Sequence, residues 1–526
     1  MRLCAARAFV LAPSLAVAAQ LSAQSARQAP SAAVRRAAET ITATDMRRVV
    51  GLLAADSMRG RETPSPELEQ AAAFVAGEFR RAGLRPLGGA GSFIQRYQIR
   101  QVRLDTTSQV TLSHHGASRR MRVGRQVGWL GGRLPDSALT APAVLLVGMP
   151  PDTARPFGDV SVRGAAVLHA GTGPRGFGGL QSIRGLLEKA AAEGAVAWIE
   201  LLDARSRHSS RLLHQTGTRP LTIAPDSGAA EAESHAMPPV FAALRGSALA
   251  ALRGAGVEVN AWRGAPRRGA RALPGVTLTV DARLTVLSRT SAPNVVGILE
   301  GGDPQLHDEY VVVSGHMDHV GVGRPVDGDS IYNGADDNAS GTAAVVELAE
   351  AFATLEPRPR RSLVFLAVSG EEEGMWGSSF YAEHPAVPLA QTVAAINIDM
   401  IGRNGRDSVA VIGGEHSSLG RTAERVAREH PELRMRLVGD AWPRRGLFSS
   451  SDQISFARRG VPAVFFHSGP HPDLHKPSDT VERIDAEKAA RVVRTIFYLG
   501  LEVANTVVRP SRDPAARARF VGVAGH

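Results

Sequence analysis

From about residue 275 onward, short apolar runs alternate with stretches of helical period, and this alternation constrains the fold more than any other feature. The runs fall at 310–313, 363–368, 393–398 and 461–466. Between the first two, Val345, Leu348, Ala349 and Phe352 recur on one helical face, with Asn338 or Ser340 placed to cap its start. Strand, helix, strand in repetition predicts an α/β domain with a mostly parallel sheet sandwiched by helices. A last helix over 486–504 closes it.

Each predicted strand leads into residues that bind metals. His316 and Asp318 follow the first, Glu371, Glu372 and Glu373 the second, Asp399 the third, and His471 and His475 the fourth, while Asp336 and Asp337 precede the capped helix. Ligands of open α/β sheets gather outside the carboxyl ends of the strands, so residues far apart in sequence converge there. Taken singly, a His-x-Asp pair, a glutamate run or an Asp-Asp-Asn cap is an ordinary surface feature. Nitrogen and carboxylate donors in this joint placement suit zinc, and five of them exceed the three protein ligands a single catalytic zinc keeps. The surplus is accounted for when one carboxylate bridges two metals. His319, His471, Asp336 and Arg403 lie beside these motifs, where site-lining and solvated-loop roles are equally open.

The stretches Ser314-Gly-His-Met-Asp-His, Asn333-Gly-Ala-Asp-Asp-Asn-Ala-Ser-Gly, Glu371-Glu-Glu-Gly-Met-Trp-Gly-Ser, Asn397-Ile-Asp-Met and His475-Lys-Pro-Ser-Asp-Thr resemble, in order, the motifs of the bacterial two-zinc aminopeptidase family. The resemblance implies two zinc ions per chain, with His316 and Asp399 on one, Glu372 and His475 on the other, and Asp337 bridging. It further implies Glu371 as the catalytic base and Asp318 behind His316, fixing its tautomer. A secreted exopeptidase removing N-terminal residues from peptides is the activity it implies. A carboxypeptidase or dipeptidase of the same fold and a catalytically silent binding protein are the alternatives. Two departures stand out: Leu474 precedes the last histidine where some relatives have tyrosine, and Gln453 follows Asp452 where many have histidine.

Upstream, Ser65-Pro66 opens a helix that Gly83 closes, with Leu68, Ala72, Val75 and Phe79 on its buried face. Apolar runs at 141–147, 165–168 and 195–201, with a helix near 180–192, read as a separate α/β insert over 131–262; a polar stretch at 203–236 reads as a surface loop. Val162-Arg-Gly-Ala-Ala-Val-Leu makes the insert resemble a protease-associated domain. The catalytic part is then expected over 38–130 and 265–505, with a disordered tail over 506–526.

At the N-terminus, Arg2 and Arg7 flank an apolar stretch at 9–19, followed by small residues. This reads as a signal peptide over 1–23, cleaved after Ala19 or Ala23, and so as an exported protein. The stretch is too short for a spanning helix, for which about 20 apolar residues are needed. Cys4, the sole cysteine, lies within the expected signal segment, before the apolar stretch. The net charge of +10 comes from scattered arginines, with lysine only at Lys189, Lys476 and Lys488. No basic stripe with interleaved aromatics points to nucleic acid, and peptides are the partners that the resemblance implies.

Overall fold

The structure, a computed structural model, describes residues 31–105, 107–123, 125–148, 155–170, 178–202, 221–223, 237–254 and 269–515. The expected signal segment lies outside them, as does most of the expected 203–236 loop. The exception is a strand over Leu221–Ile223, which joins the edge of the main sheet.

Three helices come first: α1 (Ala32–Thr40), α2 (Ala43–Leu53) and α3 (Pro66–Arg81). Ser65 caps α3 by accepting from Leu68 N, and Pro66 starts it, as its sequence signature predicts. The main sheet then uses β1 (Ile94–Leu104), β2 (Leu284–Leu299), β3 (Tyr310–His316), β4 (Ser362–Val368), β5 (Thr392–Ile398), β6 (Ser408–Ile412), β7 (Arg436–Val438) and β8 (Ala463–His467). Their order across the sheet is β7-β6-β8-β5-β3-β4-β2-β1. The four central strands β4, β3, β5 and β8 are parallel; β2 and β1 run against their neighbours, and β6 runs against β8 but parallel to β7.

The central strands are apolar on both faces because both faces are covered. Val311, Val313, Phe365 and Ile396 join one core, and Val312, Val364, Ala395 and Phe465 join the other. The first core is closed by α4 (Gly341–Ala353) and α5 (Ala486–Asn505), whose inward faces are buried throughout. Asn338 is the residue that caps α4, its Oδ1 accepting from Gly341 N at 2.8 Å.

A second, eight-stranded sheet has its own apolar cores. It begins at Gln109 and ends at Asp281, overrunning both expected limits of the insert, 131 and 262. The strand Gln109–His114 pairs antiparallel with the strand Gly269–Asp281. Local alternation marks a strand without saying which sheet it joins. The long β1–β2 ribbon carries the chain out and back. Tyr97 and Ile99 pack in the main core, Val102 and Leu104 in the second.

Past α5, residues 506–515 are docked, contrary to the expected disorder. Ser418 N donates to Ser511 O at 2.8 Å, Asp513 N to His416 O at 2.9 Å, and Arg509 pairs with Glu309 at 2.7 Å. Backbone pairing of this kind leaves no trace in composition. Residues 516–526 lie outside the described residues. Among the described residues no helix is long and apolar enough to cross a membrane.

Candidate metal centre

The parallel register brings the ends of β3, β4, β5 and β8 to one edge. His316 is the last residue of β3, opposite Val368 of β4; Asp399 directly follows β5; Glu371 and Glu372 follow β4; and His475 sits on the loop after β8. The loop carrying Asp337 is pressed against this edge. A Cβ on Gly341 would lie 2.3 Å from both Ile398 O and Asn338 Oδ1, so only glycine fits there.

Asp337 divides its oxygens between two groups of donors. Its Oδ1 lies 3.5 Å from His316 Nε2, and its Oδ2 lies 3.0 Å from His475 Nε2 and 3.8 Å from His319 Nδ1. Asp399 Oδ1 is 3.5 Å and Glu371 Oε2 is 4.0 Å from His316 Nε2. Glu372 holds the other side, with Oε2 at 3.1 Å from His475 Nε2 and Oε1 at 2.7 Å from His319 Nδ1. Two sets, His316 with Glu371 and Asp399, and His319 with Asp337 and Glu372, have ligand atoms within 4.8 Å of one another.

Several of these atoms are buried without a hydrogen-bond partner: His316 Nε2, Asp399 Oδ1 and His319 Nε2. Leaving a buried polar group unpaired costs on the order of 1–3 kcal/mol, more when it is charged. Several together at one strand edge fit a pair of cation sites and have no other evident use.

Neighbouring charges separate the two glutamates. Burial pushes Glu371 well above the usual carboxylate range, with Glu372 and Asp399 adding to it and His316 opposing. Burial acts on Glu372 too, but His319 and His475 outweigh it and hold Glu372 well below that range. Glu373 is exposed and belongs to neither donor set.

Asp318 is fully buried behind His316. The nearer acceptor for His316 Nδ1 is the Asp318 carbonyl at 3.2 Å, with the carboxylate at 3.6 Å. The carboxylate instead accepts from Glu371 N at 3.3 Å, so Asp318 touches both the histidine and the Glu371 loop.

The flanking residues divide. His319, 1 % exposed, points into the site, and sequence reasoning had left it between two roles because a histidine beside a motif carries no periodic signal. His471 lies 3.4 Å from Asp336 Oδ2, Asp336 Oδ1 accepts from Gly402 N, and Arg403 pairs with Asp473 at 2.6 Å, so these three brace loops. Two residues were missed outright. Ser451 Oγ donates to Asp399 Oδ2 at 2.9 Å, and Arg61, fully buried, reaches the backbone of the His316 and Asp337 loops.

Comparisons with known proteins bear on this edge. Residues 294–500 match the sequence model of Peptidase family M28. A "Probable zinc metalloprotease" of Pyricularia oryzae is 39% identical over 131 residues, 25% of this chain and 24% of the relative. "Aminopeptidase YwaD" of Bacillus subtilis is 24% identical over 240 residues, 43% of this chain and 48% of the relative. The chain thus spans about a quarter of the first relative's length and about half of the second's. The solved aminopeptidase from Aneurinibacillus sp. strain AM-1 aligns over 91% of this chain and 98% of its own, with 20% identity and a TM-score of 0.49. The stretch that this family model matches, residues 294–500, carries His316, Asp337, Glu371, Glu372, Asp399 and His475.

Proposed function

We propose that the protein is an exported, zinc-dependent aminopeptidase that hydrolyses N-terminal residues from peptides. One observation carries the reading: two donor sets meet at a sheet edge, Asp337 of one also lies 3.5 Å from His316 of the other, and His316 Nε2 and Asp399 Oδ1 are buried and unpaired. His316 and Asp399 would hold one zinc, Glu372 and His475 the other, and Asp337 both, with His319 beside the second. Zinc, when bound, supplies Lewis acidity that polarises a carbonyl and makes water more acidic.

The chain's own residues do the rest. Glu371 Oε2, 4.0 Å from His316 Nε2, is placed at the donor set without being the shared ligand. As water adds to the scissile carbonyl carbon, Glu371 accepts its proton, and as the C–N bond breaks it returns that proton to the leaving amine nitrogen. The hydrogen bond from Glu371 N to the Asp318 carboxylate and the contact of the Asp318 carbonyl with His316 would keep base and ligand in register.

Two further parts of the reading rest on sequence. Export is supported by Arg2, Arg7 and the apolar stretch at 9–19. A protease-associated character for the second sheet is supported by Val162-Arg-Gly-Ala-Ala-Val-Leu, which leads into its Ala166–Ala170 strand.

Glu371→Gln is expected to retain two zinc equivalents and lose turnover by about 10²–10⁴-fold, the usual weight of a general base. Wild-type turnover in that variant would overturn the assignment. Direction of attack is read from aminoacyl chromogenic substrates, N-blocked controls and free dipeptides, with and without chelator. Cleavage of N-blocked but not free-amine substrates overturns the aminopeptidase reading.

A further inference from the structure

We infer that Arg61 is a positioning residue of the metal centre: its guanidinium clamps together, through their backbone carbonyls, the two loops that carry His316 and Asp337. The inference rests on the metal-centre reading above. Arg61 lies far upstream of the stretch that matches the peptidase family, 294–500, and is 0% exposed.

Its Nε donates to Met317 O at 2.8 Å, the carbonyl between His316 and Asp318. Its Nη1 donates to Asn333 O at 2.7 Å and its Nη2 to Gly334 O at 3.0 Å, at the start of the loop that ends in Asp337. A further bond from Nη1 reaches Leu53 O, the last residue of α2. One planar group thereby spans three chain segments, which the fixed fork of a guanidinium does and a lysine ammonium does not.

The surrounding backbone repeats the pattern. His319 N donates to Arg61 O at 3.3 Å, Gly321 N to Gly60 O at 3.1 Å, and Gly370 N, next to Glu371, to Thr63 Oγ1 at 3.1 Å. The segment 60–63 therefore contacts the loops of His316, Asp337 and Glu371 together. The turn that aims Arg61 inward is built from three successive left-handed residues, Arg59, Gly60 and Arg61, with φ of 44°, 70° and 49°. A Cβ on Gly60 would lie 2.4 Å from Tyr332 O, so only glycine fits at the middle of the turn.

Charge agrees with geometry. Burial lowers Arg61 to about 10, against the opposing pull of Asp318, Asp337, Asp479 and Glu372, so it is still a cation at neutral pH. It stands among the carboxylates that the site collects.

Arg361 provides an internal control. It is also 0% exposed and also clamps carbonyls, but those of Val503 and Val507 near the C-terminal end of α5, away from the ligands. The test compares full-length wild type, Arg61→Lys and Arg361→Lys by metal-free melting, zinc retention against graded chelator, and the absorption spectrum of the cobalt-loaded protein. Arg61→Lys is expected to weaken zinc retention by about 10–100-fold, the usual effect of a residue supporting metal ligands. It is also expected to alter the cobalt spectrum and to lower kcat more than it changes KM. Arg361→Lys is expected to lower the melting temperature and leave retention and spectrum as in wild type.

Wild-type zinc affinity and cobalt spectrum in Arg61→Lys overturn this inference alone. Wild-type protein that takes up no zinc overturns the metal-centre reading and this inference with it. If Arg61→Lys is unfolded without metal, it is remeasured in millimolar zinc. Recovery of the wild-type circular dichroism spectrum supports the clamp, and failure to recover assigns Arg61 a purely architectural role and overturns the proposal.

Discussion

The candidate ligand atoms are held in place by side chains that lie outside the two donor sets. Asp399 is the clearest case. Its Oδ2 accepts from Ser451 Oγ at 2.9 Å, and Ser451 Oγ in turn accepts from Asn397 Nδ2 at 3.1 Å. Asn397 Nδ2 also donates to Gln453 Oε1 at 2.9 Å, and its Oδ1 accepts from Ser314 Oγ at 2.9 Å. Gln453 Nε2 closes the chain on Phe448 O at 2.7 Å, so the glutamine that replaces the histidine of many relatives is an interior link. Ser451→Ala frees one oxygen of Asp399 to rotate, and is expected to weaken zinc at the His316 and Asp399 position about tenfold while leaving the second position near its original affinity. Stepwise zinc titration with a competing chelator measures both, and two unchanged steps would refute the role. Residues of this kind were only partly legible in the sequence. The candidate ligands His316, Glu372, Asp399 and His475 stand out by chemical type after apolar runs, and Asp337 stands before a capped helix. Arg61 does not, because its partners are backbone carbonyls, and a sequence shows side chains only.

Among the helices, α4 and α2 pack across the main core and bring a carboxyl with them. Glu347 on α4 is 2% exposed, and its Oε1 has no hydrogen-bond partner. Burial pushes Glu347 up to about 8, with Glu350 on its own helix and Asp45 on α2 adding to it, and Arg48 of α2 opposing. The folded state therefore binds this proton more tightly than the unfolded chain does. The stability it contributes is complete below the ordinary glutamate range, and is lost as pH rises through about 8. At about 1.4 kcal/mol per tenfold change in proton affinity, the loss by pH 9 is on the order of a few kcal/mol. Glu347→Gln is expected to melt near wild type at pH 5 and several degrees higher at pH 9. Parallel melting curves across that range would remove the explanation. The same two helices show what local pattern conveys. On α2, Thr42 accepts from Asp45 N and Met46, Val49, Val50 and Leu53 form its buried face, a capped amphipathic signature as readable as that of α3. The central parallel strands were readable because both their faces are buried, which makes the runs continuous. Sheet membership of the hairpin beginning at Gln109 was not, since its partner strand, Gly269–Asp281, lies more than a hundred residues away.

At the scale of the whole molecule, the proposed ligands come from the ends of strands of the main sheet and, for Asp337, from the loop before α4, and none of them comes from the second sheet. The two sheets have separate apolar cores, joined along the β1–β2 ribbon. Zinc that binds the native strand edge and not the unfolded chain stabilises only the part that must unfold to release it. At free zinc a thousandfold above the dissociation constant, that linkage amounts to about 4 kcal/mol. For a domain of a few hundred residues each kcal/mol moves the midpoint by roughly 2–4 °C, so chelation is expected to lower the melting of the main sheet by on the order of ten degrees. The second sheet, with no ligand in it, is expected to melt where it did. Calorimetry with and without chelator tests this directly, since the metal-sensitive transition should move while the other stays. An equal shift of both would mean that the ribbon couples the cores into one cooperative unit, and no shift at all would mean that the unpaired donors at the strand edge are satisfied by something other than a metal.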